Sequence, residues 1–189
     1  DAARRHGTTV VLDEAFMDFT EDCSLKKHAA RCDNLIILRS LTKFFGLPGL
    51  RIGYVIAHPE IIAKLSKKQG PWSVNAPAQL AAVESLQDGS FITKTRAYVK
   101  EARDVLMRDL KQIPCLSVFP GAANFLLLRI NRPSMITAAE VYEQLLIKGM
   151  VIRTCEDFDG LDNRFFRIAV KKKSENKKLS IELKKILVK

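Results

Sequence analysis

The sequence predicts an α/β fold followed by a small α+β domain, and three observations carry that expectation. Short apolar runs rich in β-branched residues recur in the first half: "TVVL" at Thr9–Leu12, "LIIL" at Leu35–Leu38 and "GYVIA" at Gly53–Ala57. They lack polar alternation, the pattern of parallel strands buried on both faces. Helical periodicity separates and follows them. After Pro114 the texture changes to "LSVF", "NFLLLRI", "VIRT" and "FFRIAV", short strands arranged around one helix.

Each element has a local reason. "AARRHG" reads as a helix end with Gly7 as its stop, because glycine tolerates the left-handed conformation that terminates helices. Pro59 suits a first helical turn, where its missing N–H costs nothing, and opens "PEIIAKLSKKQ". The segment "GPWSVNAP" leads into a second helix, "AQLAAVESLQ", which ends at "DG". From Ser90 to about Gln112 the positions Phe91, Tyr98, Ala102, Val105, Leu106 and Leu110 recur at three- and four-residue steps, a long amphipathic helix expected to cross between domains. The domains are therefore read as residues 1–88 and 89–189. Thr137 and Glu140 form a capping box at the next helix start. In the lysine-rich tail, Leu179, Ile181, Leu183, Ile186 and Leu187 supply a buried stripe.

Composition narrows the function classes. With 189 residues, 47% of them apolar and 28% charged, the chain has the material for one sizeable core or two small ones. It contains no apolar run of the roughly 18 residues that a membrane-spanning helix needs, and "DAARRHGTTVV" lacks the basic-then-apolar order of a signal peptide, so a cytoplasmic location is expected. Cys23, Cys32, Cys115 and Cys155 are widely spaced and His6, His28 and His58 fall near none of them at a metal-ligand interval, so neither a disulfide nor a metal is assigned. A net charge of +10 suits an anionic partner. Much of the excess lies in the tail, on the solvated face of a helix with no interleaved aromatic to stack on bases, so no nucleic acid is expected.

The segment "LRSLTKFFGLPGLRIGY", Leu38–Tyr54, holds the chemistry. Asp13 and Ser40 end the first two strands, and parallel strands open their carboxyl ends onto one crevice, where α/β sheets bind ligands. Lys43 leaves the second strand, and "FFGLPGLR" returns the chain so that Arg51 comes back toward the same crevice. An acid, a lysine, a strand-end hydroxyl and an arginine meet the needs of pyridoxal phosphate. The amine bonds to the aldehyde, the carboxylate keeps the pyridine nitrogen protonated, and hydroxyls with a guanidinium hold the phosphate. Taken singly, Asp13 reads equally as a helix cap, Lys43 as a surface lysine, and Gly46 and Gly49 as an ordinary turn. The joint spacing, serine three residues before the lysine and arginine eight after, distinguishes the cofactor reading.

In this order "VVLDEAF", "SLTKFFGLPGLRIGY" and "FFRIAV" resemble the second half of class I/II, fold-type I pyridoxal phosphate aminotransferases, from about Thr8 to the C-terminus. The resemblance implies part of the large cofactor-binding domain, a mixed and mostly parallel sheet with helices, followed by a small C-terminal domain. It implies Lys43 as the Schiff-base lysine, Asp13 as the partner of the pyridinium nitrogen, Ser40 and Arg51 as phosphate ligands, and Thr42 as a further cofactor-binding residue. Phe16 stands beside the cofactor where most members have a tyrosine, whose hydroxyl lowers the proton affinity of the lysine–cofactor linkage; a higher value is expected here.

Arg167 is the arginine with which members hold a substrate anion, and a charged side chain inside an apolar strand is itself expected to face a cavity or an anion. Arg153 in "VIRT" is a second such candidate or an edge-strand surface arginine; Asn124 orients substrate or satisfies backbone at a strand start. Phe16, "PWSVN" and "GLDNRFFRIAV" are similar to the threonine-phosphate decarboxylase branch, a relative of the histidinol-phosphate aminotransferases. That branch implies a small phosphorylated amino-acid substrate, a role in cobalamin biosynthesis and a homodimer whose second subunit completes the site. The alternatives are a histidinol-phosphate aminotransferase and an inactive half lacking the elements that precede Asp13 in the family.

Overall fold

The computed structural model describes residues 2–188, which divide into two compact units at Thr95/Arg96, inside the long helix rather than at its start. In the first unit, helix α1 (Ala2–Arg5) ends at Gly7, whose φ of +63° is the left-handed conformation expected of a stop. Strands β1 (Val10–Asp13), β2 (Leu35–Ser40) and β3 (Gly53–Ala57) form a sheet in that order. Helix α2 (Lys26–Ala29) precedes β2, α3 (Leu41–Phe44) follows it, and α4 (Pro59–Ser66) and α5 (Ala76–Gln87) follow β3.

β1 and β2 run parallel, with Asp13 beside Leu38. β3 instead pairs antiparallel with β2, Ser40 opposite Gly53, which corrects the expectation of a third parallel strand. The physical reason lies in what connects them: α3 is four residues long, and with one 3-10 turn, Pro48–Leu50, it reverses the chain beside β2, where a parallel partner requires a crossover, usually a full helix, that carries the chain back to the sheet's other end. Nor are these strands buried on both faces within this unit. Leu35 and Ile37 pack with Ala29 on one face, while Val11, Leu38 and Val55 on the other are each about 40–56% exposed. Gly53 is required where it stands, since a Cβ there would lie 2.5 Å from the Arg39 carbonyl oxygen.

α6 (Gly89–Leu110) leads into the second unit, where Leu106 and Leu110 enter a large apolar core. Four strands, β4 (Leu116–Val118), β5 (Phe125–Ile130), β6 (Arg153–Thr154) and β7 (Phe165–Ala169), form an antiparallel sheet ordered β4-β5-β7-β6. α7 (Ala138–Leu146) begins at the expected capping box: Thr137 Oγ1 accepts from Glu140 N at 3.2 Å and the Glu140 carboxylate accepts from Thr137 N at 2.7 Å. α8 (Lys173–Leu187) buries Leu183 and Leu187 and packs Leu179 and Ile186 against the same core. Ile181 is the exception to the expected stripe at 43% exposure, because positions 176, 180, 183 and 187 turn inward and carry Asn176 and Ser180 with them. Asn176 satisfies its burial by bonding Lys171 N and O at 2.9 and 3.0 Å.

The β5 and β7 strands alternate. Leu126, Leu128, Ile130, Phe166 and Ile168 face the core, and Phe125, Leu127, Arg129, Phe165 and Arg167 occupy the opposite face. Arg167 is thus half-buried on the second face of a one-sided sheet. Among the described residues no helix is long and apolar enough to cross a membrane, and no His, Cys, Asp and Glu cluster has metal-ligand geometry.

Candidate cofactor and substrate site

The first unit brings most of the expected cofactor residues to one end of its sheet. Asp13 ends β1 on the parallel pair's carboxyl side, exposed, and its Oδ1 accepts from Ala15 N at 2.9 Å. Its second carboxylate oxygen accepts nothing among the described residues. Ser40 ends β2 and caps α3: its Oγ accepts from Thr42 N at 3.3 Å and lies 2.7 Å from Thr42 Oγ1, so two hydroxyls stand side by side. One step further along α3, Lys43 is exposed and extends its Nζ over the Phe16 ring, 5.7 Å from the centroid.

Arg51 returns to the same end because Leu41 N donates to Ile52 O at 3.2 Å and Ser40 pairs with Gly53. It adopts a left-handed backbone (φ +52°), uncommon for a non-glycine residue, and among the described residues its exposed guanidinium donates to Pro48 O alone, at 3.3 Å. Asp13, the paired hydroxyls and the lightly held Lys43 and Arg51 fit pyridoxal phosphate by their chemistry: carboxylate for the ring nitrogen, amine for the aldehyde, hydroxyls and guanidinium for the phosphate.

A buried ion cluster holds the segment between β1 and β2, and sequence reasoning missed it. Arg39, 4% exposed, donates from Nε to Glu14 at 3.0 Å, from Nη1 to Asp18 and Glu21 at 3.0 Å each, and from Nη2 to Glu21 at 3.1 Å and Ser24 Oγ at 2.7 Å. Ser24 Oγ donates to Glu14 at 2.7 Å, Leu25 N donates to the other Glu14 oxygen at 3.0 Å, and Lys26 also pairs with Glu21. Burial alone pushes the Glu21 carboxyl up, but hydrogen bonds and charge from Arg39 and Lys26 outweigh it and hold the group below its ordinary value. Burial and the nearby Asp18 charge raise the Tyr54 phenol, which sits opposite Arg39 on β3. The signal was present: Arg39 interrupts "LIILRS" as Arg167 interrupts "FFRIAV", and the acidic run "DEAFMDFTED" supplies its partners.

In the second unit, Arg153 and Arg167 stand directly opposite each other on β6 and β7, both on the face away from the core. Like charges directly opposite on a sheet repel, so the pairing calls for an anion or for compensating contacts. Arg167 lies over the Phe125 ring at 4.4 Å with no carboxylate in ion-pair reach among the described residues. Arg153 lies on an edge strand, exposed, and pairs with Asp157 while its guanidinium sits 5.8 Å from the Phe158 centroid. Burial raises the thiol of adjacent Cys155, against the pull of Arg167 and Arg153. Asn124 precedes β5, where its carbonyl accepts from Val170 N at 2.8 Å, which satisfies backbone at the strand start.

The profile of aminotransferase class I and II matches residues 1–181. The chain belongs to that family, whose cofactor is pyridoxal phosphate. Among curated relatives, the threonine-phosphate decarboxylase of Salmonella typhimurium is 35% identical over 189 residues, covering 99% of this chain and 51% of that protein. The crystal structure of the histidinol-phosphate aminotransferase from Clostridium acetobutylicum superposes with a TM-score of 0.92 at 36% identity, covering 99% of this chain and 56% of that one. That of the L-threonine-O-3-phosphate decarboxylase from Porphyromonas gingivalis gives 0.87 at 29% identity, covering 100% and 58%. The chain therefore spans about half the length of the relatives it matches. Both activities occur at similar identity among them.

Proposed function

We propose that this family member decarboxylates L-threonine O-3-phosphate to (R)-1-amino-2-propanol O-2-phosphate, a step of cobalamin biosynthesis. The observation that carries the reading is Arg167, half-buried over the Phe125 ring with no carboxylate in ion-pair reach among the described residues, which suits a substrate held by an anionic group. A second support is the apolar Phe16 ring against Lys43, at a residue on which the resemblance to the decarboxylase branch rests. Histidinol-phosphate aminotransferase is the second reading, favoured by the 0.92 superposition.

Lys43 holds the cofactor covalently through Nζ, Asp13 accepts a hydrogen bond from its ring nitrogen, and Ser40, Thr42 and Arg51 take its phosphate. When bound, pyridoxal phosphate supplies a sink for the electron pair left on the α-carbon. The protein's part is orientation. The residues that hold the substrate's anionic groups would decide which bond to the α-carbon is presented for cleavage. Arg167, with the charge of Arg153 opposite and Asn124 at the strand start, fixes the substrate by its anions. One proton replaces the carbon dioxide lost. The proposed assembly is a soluble cytoplasmic homodimer.

Two measurements test the proposal on the full-length protein. Borohydride reduction with the cofactor, then peptide mapping, is expected to leave the pyridoxyl group on Lys43; label only elsewhere refutes the assignment. Supplied with L-threonine O-3-phosphate and no keto acid, the enzyme is expected to release carbon dioxide over many turnovers. Consumption of histidinol phosphate that depends on 2-oxoglutarate establishes the aminotransferase instead.

A further inference from the structure

The buried guanidinium of Arg39 joins the two chain segments that carry the candidate cofactor residues. Side chains alternate along β2, so Leu35, Ile37 and Arg39 are buried while Leu38 and Ser40 point to the other side. Asp13, in register with Leu38, lies on that other side too. Arg39 thus faces away from the cofactor residues, yet it directly precedes Ser40, and its acceptor Glu14 directly follows Asp13. Glu14 N also donates to Leu38 O at 2.9 Å, which carries the β1–β2 pairing one residue past Asp13.

The same guanidinium grips the chain on both sides of Phe16. Nε donates to Glu14 and Nη1 to Asp18, each at 3.0 Å, two residues before that ring and two after it. Phe19 then packs edge-on against Phe44, the neighbour of Lys43 on α3, with centroids 4.9 Å apart. The segment is fastened to β2 by charge and to α3 by an aromatic contact, and it presents the Phe16 ring 5.7 Å from Lys43 Nζ. It also opens with the turn in which Ala15 N donates to Asp13 Oδ1 at 2.9 Å, so the direction of that carboxylate depends on where residues 14–18 are held. Charge-assisted hydrogen bonds away from water are strong, and they leave the segment little play.

We infer that Arg39 is a positioning residue of the cofactor site: through Glu14 and Asp18 it sets the direction of the Asp13 carboxylate and the place of the Phe16 ring beside Lys43. Its effect is preorganisation. Pyridoxal phosphate meets a carboxylate and a ring already in place, and binding does not bear the cost of ordering an acidic loop. The inference rests on the reading of Asp13, Phe16 and Lys43 as cofactor residues.

The test uses the full-length protein freed of cofactor. Asp18→Ala removes one hold and leaves Arg39 paired with Glu14 and Glu21, so this variant is expected to fold. Amide exchange at Ala15 is expected to quicken at least about tenfold relative to that at Ile37 in β2. Affinity for pyridoxal phosphate, followed by its absorbance, is expected to fall about tenfold. Asp18→Asn keeps an oxygen for Nη1 and is expected to recover both properties. Arg39→Lys lacks the planar fork and is expected to weaken the cofactor as Asp18→Ala does. If Asp18→Ala and Arg39→Lys have lowered urea midpoints only, with cofactor affinity and the ratio of Ala15 to Ile37 exchange as in the parent, the positioning role is overturned and the reading of Asp13, Phe16 and Lys43 stands. If borohydride reduction of the cofactor-loaded parent leaves no pyridoxyl group on Lys43, that reading falls and the positioning role falls with it.

Discussion

A guanidinium 4% exposed and ringed by Glu14, Asp18 and Glu21 has no route back to water, so the segment that supplies those carboxylates must close over it. That segment begins beside Asp13 and contains Phe16; Arg39 itself immediately precedes Ser40. Replacing Arg39 with methionine leaves Glu14 buried and uncompensated, and removing one partner of a buried pair typically costs about 3–5 kcal/mol. The expected outcome is a lowered urea midpoint, checked by denaturation followed with circular dichroism. The same cluster sets an acid dependence. The carboxyl of Glu21 titrates lower when folded than when unfolded, so its contribution to stability is fully present above its unfolded value and is lost as pH falls through the folded one. Urea midpoints measured from neutral to acid pH are expected to fall through that window, and less so in Glu21→Gln. At Arg167, replacement by alanine removes charge-assisted hydrogen bonds worth roughly 1.5–3 kcal/mol. If the residue holds substrate, kcat/KM of the full-length enzyme falls at least about tenfold while cofactor absorbance stays.

Two elements depend on single positions in different ways. The β2–β3 pairing brings Ser40 against Gly53, and with them the chain carrying Arg51; a methyl at Gly53 would meet backbone, the Arg39 carbonyl at 2.5 Å, which has no rotamer to yield. Gly53→Ala is therefore expected to destabilise the first unit by about 1–3 kcal/mol, the usual range for overpacking, with loss of amide-exchange protection in β3 before β1. Thr137 acts through hydrogen bonds: Thr137→Ala removes half of a capping box and is expected to cost about 0.5–2 kcal/mol in a urea melt. Helix α8 shows the limit of reading periodicity alone, since Ile181 fits a generous helical stripe yet lies outside the arc facing the core.

Across the whole molecule the apolar core is divided unequally. The second unit has one continuous cluster fed by β4, β5, β7, α6, α7 and α8, whereas the first has two small clusters, around Ile37 and around Leu41. Native-state amide exchange is expected to be slowest in β5 and β7 and faster throughout β1 and β2, because opening free energy follows buried apolar contact. Strands with local causes were legible from sequence, as were the helix starts at Pro59 and Thr137 and the stop at Gly7, because proline, capping residues and glycine act over three or four residues. The chain path that brings Ser40, Lys43 and Arg51 to one end of the sheet was legible as well, because one connection from β2 to β3 carries all three. The direction of β3, the inward turn of Asn176 and Ser180, and the face on which Arg129, Arg153 and Arg167 meet were decided only by tertiary structure. Chain direction depends on where a reversal packs, and a shared sheet face depends on strand register, which pairs residues far apart in sequence and leaves no mark on either segment alone.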